Sequence, residues 1–276
     1  MLLREVEYAR PKSVDEAIGL LSANDGARAL AGGQTLVNVM KARAAAPDVL
    51  VDLQDLAELR GIRDMGKGSV EIGAMTTYTD LIRDEAAGAR SILGEVAAMI
   101  ADVQVRNRGT IGGNVCSNDP TNHFPPLLAV MDAQFTIIGS GGERTVSAED
   151  FFLGVYMTAA GPGELLTKIT IPAGGQDGFA AVTIGKDGTG IVTAAASLNG
   201  GVRVAIGCVS SVPVRAREME ERLSGGDLSE ENVREAAKGL GASLDPPSDV
   251  HASAEYRKHL AEVLATRAVL QAKERK

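Results

Sequence analysis

The sequence predicts an α+β chain in three parts: two small mixed lobes, then a C-terminal domain whose strands precede its helices. Three observations carry that prediction. Strand-like and helix-like patterns are mixed over the first 172 residues, three alternating or apolar runs separated by turn dipeptides follow, and helical segments close the chain. At 276 residues, with 45% hydrophobic and 23% charged residues, the chain is long enough to bury more than one core.

The first lobe, residues 1–60, opens with PKSVDEAIGLLS, where Ser13 and Glu16 have capping-box spacing and Val14, Ala17, Ile18 and Leu21 share a helical face. RALAGGQTLVNVMKARAAAP then reads as a short strand, a Gly-Gly turn and a helix ending before Pro47. VLVDL is a buried strand and DLAEL a short helical turn. In the second lobe, residues 61–172, SVEIGA, QFTIIGS and LLTKITIP read as strands. TTYTDLIRDEA and SILGEVAAMIAD read as helices.

The last part, residues 173–276, begins with GFAAVTIGKDGTGIVTAAASLNGGVRVAIGCV. Asp187-Gly188 and Asn199-Gly200 suit turns with positive φ, so these runs predict a three-stranded antiparallel meander. VRAREMEERL, LSEENVREAAKGL and a long closing helix follow, the last with Tyr256, Leu260, Val263 and Leu264 on one face. No internal repeat and no low-complexity linker interrupts this order.

Composition excludes several classes of function. Asp and Glu number 36 against 28 Lys and Arg, so no basic field attracts nucleic acid. Cys116 and Cys208 are the two cysteines, too few for a disulfide framework or for a zinc or iron-sulfur site within this chain. The charged opening MLLREVEYARP lacks the apolar run of a signal peptide, and no segment is long and apolar enough for an integral membrane span. The expected compartment is the cytoplasm.

Two segments point to chemistry. ALAGGQTL, residues 29–36, and GTIGGN, residues 109–114, each set a Gly-Gly pair beside polar side chains: Gln34 and Thr35 in one, Thr110 and Asn114 in the other. Glycines let a backbone approach a ligand closely and present consecutive N–H donors, which can cradle a pyrophosphate. Neither segment matches GxGxxG or GxxxxGK[ST]. Either alone reads more readily as a turn; two of them, from two lobes, can face each other across a cleft and hold an elongated dinucleotide.

The run IADVQVRNRGTIGGN, the preceding LAGGQTLV and the closing GELLTKITIP resemble the flavin-binding medium subunit of the molybdenum hydroxylases, the xanthine dehydrogenase and carbon monoxide dehydrogenase family. The likeness extends over essentially the whole chain. It implies a two-lobed FAD-binding fold of the vanillyl-alcohol-oxidase-like type, followed by the α+β C-terminal domain. It also implies that Ala29, Leu30, Ala31, Gly32, Gly33, Gln34, Thr35 and Leu36 wrap the FAD pyrophosphate. Thr110, Ile111, Gly112, Gly113 and Asn114 would contact phosphate and ribose, and Ile100 and Leu166 the flavin. Arg106 and Arg108 either offset the diphosphate charge or are solvated surface groups.

Three positions depart from the family pattern. His123 stands where relatives often carry an Asp that bonds a flavin hydroxyl, a role either ring nitrogen can take. Thr183 stands where a flavin-contacting lysine is common, with Lys186 as its possible replacement, and Gly190-Ile191 replaces an Asp-aromatic pair. The implied function is an oxidoreductase subunit in which FAD relays electrons to NAD, a quinone or oxygen. A large chain with the molybdenum cofactor and a small chain with two iron-sulfur clusters are the implied partners, in a dimer of heterotrimers. A self-contained flavoenzyme of the same fold, or a nucleotide-binding scaffold without redox chemistry, are the competing readings.

Other polar residues carry blander readings. Ser117, Asp119 and His123 have the residue types of a hydrolase triad, but one short loop rarely supplies that geometry. Cys116 reads as a small buried hydrophobe, and His251 and His259 as surface residues. No catalytic acid–base constellation stands out, and pure electron transfer needs none.

Overall fold

A computed structural model describes residues 3–185 and 188–275. Its N-terminal part runs β1 (Glu7–Ala9), α1 (Val14–Ala23), β2 (Ala27–Leu30), α2 (Leu36–Lys41) and β3 (Val49–Asp52). β3 pairs in parallel with both β1 and β2, so a helix makes each crossover. Ser13 caps α1 by accepting from the Glu16 amide at 3.1 Å, while the Glu16 carboxylate accepts from the Lys12 amide at 2.7 Å, one residue before the usual box partner. Ala17, Ile18 and Leu21 are the buried face. α2 is shorter than predicted: it ends at Lys41, and Arg43 turns left-handed at φ 63°, well before Pro47.

The middle part runs β4 (Ile62–Gly66), β5 (Ser69–Gly73), α3 (Tyr78–Arg83), α4 (Ile92–Ala98), α5 (Val103–Arg106), α6 (Ile111–Ser117) and α7 (Phe124–Val130). It continues with β6 (Gln134–Gly139), β7 (Gly142–Ser147), α8 (Ala148–Phe151), β8 (Phe152–Gly154), β9 (Met157–Thr158) and β10 (Leu165–Ile171). Five strands form an antiparallel sheet in the order β4-β5-β10-β6-β7, so the last strand enters the middle of the sheet. Stacked Phe135 and Phe151, with ring centroids 4.1 Å apart and Phe152 set edge-on to both, anchor the core beneath it.

The C-terminal part holds β11 (Asp177–Ile184), β12 (Thr189–Ser197), β13 (Arg203–Gly207) and β14 (Val214–Arg215), then α9 (Arg217–Leu223), α10 (Glu230–Ala237) and α11 (Ala254–Glu274). The expected meander is present, with β14 added as a short fourth edge strand. Asn199-Gly200 makes the β12–β13 turn, with Gly200 at φ 76°; Asp187 lies outside the described residues. α11 presses on the sheet so closely that a Cβ at Gly178 would sit 2.8 Å from the Ala272 amide nitrogen. Its buried face carries Leu260, Ala261, Leu264, Ala265, Ala268 and Val269, whereas Tyr256 is exposed. Arg257 takes the inward place, donating to the Ile191 carbonyl and to Asp249, each at 2.6 Å. Among the described residues no helix is long and apolar enough to cross a membrane.

Candidate functional site

The first glycine segment follows β2. The ladder ends where the Leu53 amide donates to the Leu30 carbonyl at 3.0 Å, and the chain then turns through Ala31 to Thr35 into α2. Gly33 supplies the left-handed step at φ 72°, and its carbonyl accepts the Val37 amide at 3.1 Å to start the helix. Two side chains pin the turn: Gln34 Nε2 donates to the Gly32 carbonyl at 3.1 Å and Asn38 Nδ2 to the Gln34 carbonyl at 2.7 Å. Among the described residues, the main-chain amides of Gly32, Gly33, Gln34, Thr35 and Leu36 find no acceptor in the chain. Five successive donors on a partly exposed turn are the kind of donor set that an anion cradle needs.

The second segment is not a loop. Residues 111–117 are α6, with Thr110 as N-cap accepting the Gly113 amide at 3.0 Å. The amides expected to face a ligand are used internally: Ile111 donates to Thr76, Gly112 to Ala74 and Asn114 to Thr110, at 2.9–3.0 Å. Gly112 is buried and packs on β5's end, where a Cβ would lie 2.7 Å from that of Ala74. Its missing side chain therefore admits the end of a neighbouring strand.

What this segment offers instead is acceptors. Asn114 is 7% exposed; its Nδ2 donates to the Tyr78 hydroxyl at 3.0 Å, and its Oδ1 has no partner. Burial pushes the Tyr78 hydroxyl up to about 12, against the opposing Asn114 bond, so it stays protonated. His123 is the residue before α7, 2% exposed, with its ring 5.6 Å from that of Phe179. Burial draws it down to about 4, against a hydrogen bond to the Thr121 backbone, so the ring is neutral near pH 7. With one ring nitrogen on that carbonyl, the unpartnered Nε2 presents a lone pair.

The two segments meet. A Cβ at Gly32 would overlap the Arg108 carbonyl oxygen and stand 2.9 Å from the Gly109 Cα, and one at Gly113 would lie 3.7 Å from that of Ala31. The other predicted positions divide. Ile100, half-buried, belongs to the turn that receives the β11–β12 hairpin: a Cβ at Gly188 would lie 3.2 Å from the Ala101 amide nitrogen. Thr183 stands half-buried on that hairpin opposite Gly190, beside a register shift. Leu166 is buried in the middle core on β10, which α6 also contacts. Lys186 lies outside the described residues.

Ser117, Asp119 and His123 form no triad. Ser117 Oγ donates to the Asn114 carbonyl at 2.8 Å, and Asp119 accepts from Thr121 and from the Tyr156 hydroxyl. The Cys116 thiol is pushed up to about 12 by burial, which removes thiolate character near neutral pH. One residue that the sequence does not mark, Tyr78, belongs here, and Arg106 takes a place other than the two the sequence offers for it. Tyr78 holds Asn114, and Arg106 turns its guanidinium onto the Ile100 and Ala101 carbonyls. Tyr78 carries no motif signal, because its partner Asn114 lies 36 residues away.

A row of free amides, a second lobe abutting it and two buried acceptors define a binder of a long cofactor with both phosphate and hydroxyl groups. FAD fits this donor and acceptor set. Residues 4–174 match the FAD binding domain in molybdopterin dehydrogenase, and residues 179–272 the CO dehydrogenase flavoprotein C-terminal domain. The chain belongs to this FAD-binding medium-subunit family. It is 40% identical to the carbon monoxide dehydrogenase medium chain of Afipia carboxidovorans, over 100% of this chain and 99% of that one. Among solved structures, reconstituted CO dehydrogenase from Oligotropha carboxidovorans aligns with a TM-score of 0.93 and 37% identity, covering 100% of both chains. Quinoline 2-oxidoreductase from Pseudomonas putida 86 aligns at 0.92 and 33%, covering 99% of this chain and 98% of that one.

Proposed function

We propose that this chain is the FAD-carrying electron-relay subunit of a molybdenum hydroxylase complex. The observation that carries the reading is the pairing of the free amide row at Gly32–Leu36 with the orphaned acceptors Asn114 Oδ1 and His123 Nε2. The amide row takes the diphosphate, backed by Ala29, Leu30 and Ala31, while the acceptors take cofactor hydroxyls. Thr110 to Gly113 shape the wall between them through the N-cap and the close approach to Ala31. Ile100, Leu166 and Thr183 serve the ring end, where Lys186 is the further candidate. Bound FAD supplies the means to take up electrons singly and release them in pairs; the protein binds and orients it.

The organisation that goes with this reading is a first FAD-binding lobe over residues 1–60, a second over 61–172 and a C-terminal domain over 173–276. Partners are a large chain with the molybdenum cofactor and a small chain with iron-sulfur clusters, assembled as a dimer of heterotrimers. The substrate is set by the large chain, because relatives named for carbon monoxide and for quinoline share this fold. The compartment is the cytoplasm, in keeping with the free thiols of Cys116 and Cys208.

Purification under native conditions tests all of this. One FAD per chain and co-purification with a large and a small chain are expected. A colourless protein without flavin absorbance overturns the cofactor reading, and a flavin-loaded chain that stays monomeric and partner-free overturns the subunit reading.

A further inference from the structure

The turn Met99–Ala101 is where the middle part of the fold receives the C-terminal hairpin, and one guanidinium governs it. Arg106, half-buried at the end of α5, donates from Nη1 to the Ile100 carbonyl at 2.9 Å and to the Ala101 carbonyl at 2.6 Å. Ala101 stands at φ 45°, a conformation that residues with a β-carbon avoid. The turn has little slack on either side. A Cβ at Gly188 would overlap the Met99 carbonyl oxygen, and Asp102 caps α5 by accepting the Val105 amide at 2.8 Å. Nη1 of Arg106 is thus committed to two carbonyls within its own chain.

We propose that Arg106 is a positioning residue for the ring end of the flavin. By tethering two successive carbonyls it fixes the left-handed turn that presents Ile100 and seats the β11–β12 hairpin carrying Thr183. The role needs a guanidinium, because a single planar nitrogen supplies both hydrogens in a fixed geometry; an ammonium on a flexible stem reproduces the charge without the fork. This inference rests on the reading that FAD lies between the lobes with Ile100 beside its ring. It differs from a phosphate-binding role in what it predicts. Loss of Arg106 leaves the cradle at Gly32–Leu36 intact and changes the environment of the ring.

The test compares the purified complex with its Arg106→Gln and Arg106→Lys variants, and with Arg83→Gln as an exposed charge control on α3. FAD content, the visible circular dichroism of bound flavin and a redox titration are measured on each. Arg106→Gln is expected to keep its FAD content within twofold of the parent. At fixed potential its ratio of oxidised to reduced flavin should change at least threefold, with an altered dichroism band. Arg106→Lys should recover part of the change, and Arg83→Gln should match the parent. Full FAD with an unchanged titration and spectrum in Arg106→Gln overturns the inference and leaves the FAD reading standing. Loss of FAD from a folded Arg106→Gln also overturns it, by assigning the residue to cofactor retention. Should Arg106→Gln not fold, Arg106→Lys decides on the same readouts. A parent complex without FAD sinks the underlying reading instead.

Discussion

Arg90, before α4, and Asp177, the first residue of β11, form a bidentate ion pair with both side chains essentially out of water: Nε donates to Oδ2 at 2.6 Å and Nη2 to Oδ1 at 3.1 Å. Arg90 Nη1 also donates to the Gly68 and Pro172 carbonyls, and Asn199 Nδ2 to Asp177 Oδ1. This network ties the five-stranded sheet to the C-terminal meander at the point where the chain passes from one to the other. The meander in turn places the β11–β12 hairpin against the Met99–Ala101 turn.

Removing one partner of this pair leaves a buried charge without its counter-ion, which costs about 3–5 kcal/mol, whereas an apolar replacement of both is far milder. Asp177→Leu is therefore expected to lower the urea midpoint strongly. The double variant Arg90→Met/Asp177→Leu should recover more than half of that loss, and additive losses would show that the two side chains act independently.

The order of the chain was legible in its sequence because it rests on local signals: the Ser13 cap, the strand runs, and Asn199-Gly200 between two strands. The Arg90–Asp177 pair was not, since nothing local marks two charges 87 residues apart as partners. GTIGGN reads as a turn in the sequence, where two glycines depress helix propensity. Packing of Gly112 on Ala74 and the Thr110 cap override that preference. The face of α11 was misphased for a related reason. Four of its nine buried positions are alanines, which give a weak periodic signal, and Arg257 enters the core by bonding a carbonyl and a carboxylate. At the site, the glycine segments mark where the two lobes abut, but which of their amides are free and which are consumed depends on contacts distant in sequence.

The glycines differ in what a Cβ would meet. Gly32→Val drives a side chain into the Arg108 carbonyl and forces the two segments apart, so flavin content should fall more than tenfold while helical circular dichroism persists. Gly112→Ala instead overpacks the contact with Ala74 and should cost about 1–3 kcal/mol of stability, with flavin lost only as the fold loosens. Gly19 is the control: it is exposed in α1 with open space around it, and Gly19→Ala should raise stability by about 0.5–1 kcal/mol. Equal flavin loss from Gly32→Val and Gly19→Ala would remove the case for a cradle at Gly32.

The Asn114–Tyr78 bond makes a narrower prediction. Tyr78→Phe leaves Asn114 Nδ2 as a buried donor without its acceptor, at a cost of about 1–3 kcal/mol. The amide is then free to rotate, so flavin affinity should fall together with stability. Tyr78→Phe with unchanged flavin affinity would mean that Asn114 Oδ1 does not need to be held in place.

His123 sets an acid limit whose sign follows from its burial. Its ordinary value of 6.5 is drawn down to about 4 in the folded chain, so the unfolded chain binds the proton more readily throughout that interval. Stability is unaffected above about pH 6.5 and falls as pH drops towards 4, by about 3 kcal/mol in all for a shift of this size. Protonation would also convert Nε2 from acceptor to donor, so flavin retention should fail at the bottom of the same window. His123→Phe keeps an aromatic ring beside Phe179 but has no nitrogen; the apoprotein should lose this acid sensitivity, and the loaded protein should bind FAD at least tenfold more weakly at neutral pH. His123→Asp restores an acceptor and should retain FAD at neutral pH. Unfolding midpoints of the apoprotein between pH 4 and 7, measured with flavin dissociation constants for the three forms, check both halves. A His123→Phe variant that binds FAD as tightly as the parent would place the cofactor's hydroxyls away from this residue.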